Sequence, residues 1–243
     1  GEEMKKILTA VIISGLLACS AFCGDVATFV EGGWSKDGNI YVFGQYGKTD
    51  KNFQSWAELI EVDIKKNDYA DKGYFSVKPS AVTKGKSGRE VYESLEAQNF
   101  YNLKPLNLTK TKPDQMLYIC EDPLKKGSDE IKFTDFLGSD INNPMTYNVK
   151  VVPTVNGSGA QAKSSFYILI EKKDKNGNVT ASQMVGNPDI KRKGVTGYKV
   201  EQILCDKTGK NMIFVVEKIM EDNTGINIRY MVEACELNPE FTR

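Results

Sequence analysis

Histidine is absent from all 243 residues of the chain. With no imidazole to act as base or ligand, Ser-His-Asp and Cys-His catalysis, HExxH metallopeptidase centres, His-bearing zinc sites and His-ligated haem are excluded. Other signatures are missing too. There is no Ser-x-x-Lys, and no Gly-x-Ser-x-Gly elbow; the nearest approach, Gly33-Trp34-Ser35-Lys36-Asp37, lacks the final glycine and reads as a turn. No Gly-x-x-x-x-Gly-Lys phosphate loop and no Gly-x-Gly-x-x-Gly fingerprint occurs. Neither sign of charge is in excess: Lys plus Arg number 32 and Asp plus Glu number 32. Nucleic-acid binders carry a basic excess or stripe, so no nucleic-acid partner is expected. The run Lys191-Arg192-Lys193 reads as a solvated turn.

Long apolar runs are equally scarce. The one near the start follows Lys5 and Lys6 and extends from Ile7 to Leu17, with small residues Ala18, Cys19, Ser20 and Ala21 after it. A positive region, a short apolar core and a small-residue exit form a secretory signal peptide. The run is shorter than the ~20 apolar residues of a membrane-spanning helix, and no later segment approaches that length, so no membrane span is expected. Gly1-Glu2-Glu3 precedes Met4 and is set aside from fold reasoning. Two exits from the leader stand side by side. Leu16-Leu17-Ala18-Cys19 resembles a lipobox, in which Cys19 would be lipidated. Ala21-Phe22-Cys23 before Gly24 fits ordinary cleavage, and is preferred because Gly24-Asp25-Val26 opens directly into a strand-like run. Residues 1–23 are therefore assigned to the leader, and 24–243 to a single β-rich domain with two similar halves as an alternative, about 24–112 and 113–243.

Cysteine is sparse beyond the leader: Cys120, Cys205 and Cys235. No Cys-x-x-Cys is among them, which excludes a thioredoxin-type motif. Cys205 and Cys235 each end a strand-like run and are the candidate disulfide pair; three small buried thiols are the alternative.

What is present is mostly strand and turn. Thr28-Phe29-Val30 leads to Trp34, an Asp37-Gly38 turn, and the strand run from Ile40 to Gly47. Trp56 to Asp63 follows. Ser87-Gly88-Arg89-Glu90 is a capping box, with Val91 and Leu95 one turn apart behind it, so one helix is expected over about 87–99. Beyond it come Met116 to Cys120, Ile131 to Leu137 (a strand or a turn of helix), and Met145 to Val155, where Pro153 points to an edge or bulge. A hairpin joins Phe166–Ile170 to Val179–Val185 through Asn176-Gly177. Tyr198–Cys205, Met212–Lys218 and Ile226–Ala234 complete the series. The turn after Trp34 and the turn after Leu204 echo one another: apolar, small, polar turn with glycine, strand. The expected fold is mainly β, with antiparallel sheets in a sandwich-like or partial-propeller arrangement.

Several motifs at both ends resemble an uncharacterised family of predicted secreted bacterial proteins, a domain of unknown function. They are Gly24-Asp25-Val26-Ala27-Thr28-Phe29, Trp34-Ser35-Lys36-Asp37-Gly38, Phe43-Gly44-Gln45-Tyr46-Gly47, Trp56-Ala57-Glu58-Leu59 and Ile228-Arg229-Tyr230-Met231-Val232-Glu233. The resemblance implies export and attaches no activity. Ser35 to Gly38 with the following Tyr/Phe strand also resembles one blade of a TolB-like propeller.

Few side chains are candidates for a site. Asp174, Asn176 and Asn178 alternate like the start of a Ca²⁺ loop, but Val185 stands where the bidentate Glu is needed, so a turn is expected and no metal or other cofactor. Trp34, Tyr41, Tyr46 and Trp56, with Phe43 and Phe53, are the candidate binding residues, able to line a glycan or peptide groove or to pack a core. Glu58 with Asp63, or Glu217 with Glu233, would be a carboxylate pair for glycoside hydrolysis, or else strand-surface charge. The expectation is an exported protein, periplasmic or envelope-associated, acting without catalysis by binding another envelope protein. A glycan-binding or carboxylate-dependent glycan-cleaving protein is the alternative.

Overall fold

The computed structural model describes residues 23–122, 126–134, 144–222 and 225–242; residues 1–22 of the leader, with Cys19, and the stretch 135–137 lie outside them. Of the described residues 56% are in strands and 15% are helical, so the mainly-β expectation holds. Fourteen strands are described: β1 (Cys23–Val26), β2 (Thr28–Trp34), β3 (Ile40–Lys48), β4 (Ser55–Asp63), β5 (Asp68–Val77), β6 (Met116–Ile119), β7 (Ile131–Thr134), β8 (Thr146–Asn156), β9 (Lys163–Lys173), β10 (Val179–Val185), β11 (Arg192–Lys193), β12 (Val195–Cys205), β13 (Asn211–Asp222) and β14 (Gly225–Glu236). The helices are α1 (Gly88–Gln98) and the single turn α2 (Phe100–Leu103).

Three sheets stack face to face. The central sheet has the order β1-β14-β13-β12-β6, the second β10-β9-β8-β7 with β11 on β9, and the third β2-β3-β4-β5. Strand β13 shows why the central sheet lies in the middle. Met212, Phe214 and Val216 pack with Val149, Ile168 and Ile170 of the second sheet. Ile213 and Val215 point the other way and pack with Tyr41, Phe43 and Ile60 of the third. A strand covered on both faces reads as a continuous apolar run, and this one does. The third sheet is covered again on its far face by α1, whose Val91, Tyr92 and Leu95 meet Val42, Ala57 and Leu59. Layering of this kind is a sandwich extended by one sheet and a helix; the blades of a propeller are not arranged so.

Local signals act as expected. Ser87 caps α1: its hydroxyl accepts from the Glu90 amide at 3.1 Å, and the Glu90 carboxylate accepts from the Ser87 amide at 2.6 Å. Gly177 turns the β9–β10 hairpin at φ 83°, a backbone that suits glycine. Pro153 pairs with Phe166 on β9, while β7 pairs only as far as Val149, so the other edge of β8 is open where the proline lies.

Candidate functional site

The aromatic candidates do not form one surface. Trp34 and Tyr41 meet edge-on, 5.0 Å between centroids, and both are buried between the third and central sheets with Phe43. Tyr46 faces the other way, 5.9 Å from Tyr92 of α1. Trp56 is buried under Arg229, whose guanidinium lies 4.1 Å from the ring centroid; Asp25 accepts from both side chains. Phe53 stands apart and exposed. The same aromatic richness that suggested a groove packs the core, because these rings sit on strand faces that other layers cover.

The expected disulfide is also corrected. Cys205 and Cys235 are free thiols, and both pair in register with Met212, from opposite sides of β13. Two strand spacings, about 10 Å, separate them, beyond the ~7 Å reach of a disulfide. Burial pushes each thiol up to about 12, which makes them inert. Neither carboxylate pair can straddle a sugar. Along β4 side chains alternate, so Glu58 faces the central sheet and Asp63 the helix side. Glu217 and Glu233 lie on opposite faces of the central sheet, and Glu217 pairs with Lys199 at 3.1 Å. The Asp174 carboxylate is occupied by the Asn176 and Asn178 amides at 2.8 Å, as the turn reading expects. Among the described residues no cluster of ligands suits a metal ion.

A concavity lies elsewhere. A groove of about 700 Å³ runs along β14 from Met231 to Glu236, walled by the β4–β5 turn (62–69) and by the end of β10 with the segment after it (183–192). Its walls are tied together by side-chain amides. The Gln45 amide grips the outer edge of β14 at both ends: Nε2 donates to the Tyr230 carbonyl at 3.1 Å and Oε1 accepts from the Tyr230 amide at 2.8 Å. Asn67 accepts from the Ala234 amide at 2.6 Å and donates to Glu233 at 2.5 Å. Covered in this way, the edge is closed to strand addition, and the third sheet is pinned to the central one.

The polar groups of the groove include Glu233, Arg192 and Lys218, with Lys65, Lys66, Asp68 and Glu236 also on its lining. Glu233 is buried, 4% exposed, and desolvation raises its carboxyl above the usual range against the pull of Asn67 and Arg192. Arg192, expected on a solvated turn, instead lies on β11 with its guanidinium 5.0 Å from the centre of the Phe166 ring and 3.4 Å from Glu233. Lys218 makes no hydrogen bond or ion pair among the described residues. Burial pushes its amine below the ordinary value; the Glu58 carboxylate pulls it back, and Arg192 and Arg229 add to the fall. The rim is apolar: Tyr69, Met184 and Ile190 are 53%, 56% and 51% exposed. Tyr69 stacks on Tyr74 at 5.6 Å and 15°. The Tyr74 hydroxyl donates to Glu58 at 2.7 Å, and burial followed by that carboxylate pushes the phenol up to about 12.

The sequence offered Glu233 as a carboxylate candidate, Cys235 as a disulfide candidate and Arg192 as part of a solvated turn, but not their meeting in a groove, because its walls come from three distant segments. Residues 42–236 match the family described as "Predicted secreted protein (DUF2259)"; the motifs at 24–29 and 34–38 precede the matched range. No curated protein and no solved structure matches the chain.

Proposed function

The chain belongs to that family of predicted secreted proteins, which supports its export, and from this premise we propose that it acts by binding, without catalysis, through the groove along β14. The partner is another envelope protein, which seats an acidic segment flanked by apolar residues. One observation carries this reading: an unpaired amine, Lys218, lines a groove whose rim exposes Tyr69, Met184 and Ile190. Lys218 is half-buried, and an amine partly withdrawn from water without a partner carries a desolvation cost. Exposed apolar side chains around a concavity mark contact sites. An anionic group seated beside Lys218 and Arg192 answers the first cost, and apolar flanks cover the rim. Catalysis is not favoured, because Glu233, the buried carboxyl of the groove, is already held by Asn67 and Arg192.

A second reading has its own support. The stacked Tyr69–Tyr74 pair offers a flat aromatic face of the kind that sugar rings cover. An acidic glycan would then be the ligand.

Site-specific photo-crosslinking in cells that export the protein separates the readings. A photoreactive residue at Met184 is expected to yield a discrete protein adduct, and one at exposed Tyr101, on α2, none. A Met184 probe that captures no protein, with direct binding of acidic oligosaccharides instead, selects the glycan. Identical patterns from both positions would sink the groove altogether.

A further inference from the structure

The two echoed turns lie side by side. One joins β2 to β3 around Asp37-Gly38, the other joins β12 to β13 around Asp206, and the Asn211 side-chain amide bridges them by donating to the Gly38 carbonyl at 3.2 Å. Each turn is held by its own aspartate. Asp37 accepts from the Ser35 hydroxyl at 2.6 Å and the Asn39 amide at 3.1 Å. Asp206 accepts from the Thr208 hydroxyl at 2.9 Å and from the Thr208 and Lys210 amides at 3.1 Å. Beside the turns, closed by the segment 107–115, is a cavity of about 200 Å³.

Four lysines from three segments line it: Lys36, Lys110, Lys112 and Lys207. None forms an ion pair among the described residues; Lys110 donates to the Glu31 carbonyl. The aspartates of the wall are the two that brace the turns. Among the lining residues four ammonium groups face two carboxylates, a local excess of positive charge that suits a phosphate group, about −1 as a diester and about −1.5 to −2 as a monoester near neutral pH. Lysine ammonium groups are compact point charges that bind phosphate oxygens without needing the planar fork that carboxylates favour. The cavity has room for such a group and little more. A chain with no net charge thus carries a local basic site, hidden because its members are spread from position 36 to position 207.

We propose that the cavity between the two turns binds a phosphate group, either on a lipid headgroup or on a free phosphorylated molecule. It is separate from the β14 groove and stands or falls independently of it.

The test uses the full exported chain. Inorganic phosphate and pyrophosphate are titrated by calorimetry at low salt, and vesicles of equal parts phosphatidylcholine and phosphatidylglycerol are assayed by co-sedimentation. The lysines are exposed, so Lys36→Gln and Lys207→Gln leave the fold intact, which circular dichroism checks. Saturable phosphate binding that each change weakens about tenfold is expected, the size of a lost charge-assisted hydrogen bond. Lys150→Gln, on the exposed face of β8, is expected to leave it unchanged. Phosphate binding without sedimentation assigns a free phosphorylated ligand. Sedimentation with phosphatidylglycerol that Lys36→Gln abolishes assigns a headgroup. No saturable binding to any probe, or equal weakening by Lys150→Gln, overturns the proposal.

Discussion

The two halves of β13 share one strand and one ladder, yet they do different work. From Met212 to Val216 every side chain is buried and apolar, because a sheet covers each face. From Glu217 onward the covering layers part. Glu217 turns to Lys199, and Lys218 reaches the groove without a partner. The first half holds the layers together. On the binding reading proposed above, the second half gives up stability to keep a charge where a ligand can meet it, the kind of local loss that functional sites show.

The comparison can be broken most directly in the apolar half. Phe214→Ala, at a side chain with no exposure, is expected to cost about 3–5 kcal/mol by chemical denaturation. A loss under about 1 kcal/mol would mean that the central sheet does not carry the core. Next comes the tie between layers. Gln45→Leu removes both amide contacts to Tyr230 and the donor to Glu58, and is expected to cost about 1–3 kcal/mol, since buried backbone groups lose their partners. A smaller effect belongs to the helix: Ser87→Ala should cost about 1 kcal/mol, the ordinary worth of an N-cap.

The charged lining of the groove, where Glu233 of β14 pairs with Phe214, should behave in the opposite sense. Glu233 has a raised folded-state value. Its protonated form is therefore favoured by folding, and the stability it contributes is full below the unfolded value and is lost as pH rises through the folded one. Glu233→Gln keeps the shape without the charge. The parent should melt lower than this variant near neutral pH, with the gap closing as pH falls through the raised folded value and closed below about 4.5. A gap that widens on acidification would show that the carboxylate is net stabilised in place.

Much of the fold was legible before the structure, and particular residues show why. The capping box at Ser87 and the Asn176-Gly177 turn act through neighbours in sequence, so their geometry followed from spacing. Strand β1 was taken only as an opening run; its parallel pairing with β14, two hundred residues away, leaves no local periodicity. Strand β5 was missed because it pairs irregularly with β4 and mixes exposed polar and aromatic residues. The site was far less legible. Lys218 sits in an apolar strand run, and nothing in that run says which layer will fail to cover it. Arg192 stood in a basic triplet that reads as solvent-facing, until Phe166 and Glu233 enclosed it. Trp34 and Tyr41 are buried for the same reason: exposure is settled by layers that come from elsewhere in the chain.

The most direct test of the division within β13 is Lys218→Met, measured for thermal stability and for photo-crosslinking from Met184 in exporting cells. The expected result is a melting temperature equal to or above that of the parent, with the adduct lost. A variant that melts well below the parent, or that keeps the adduct undiminished, would show that Lys218 belongs to the structure rather than to the binding site.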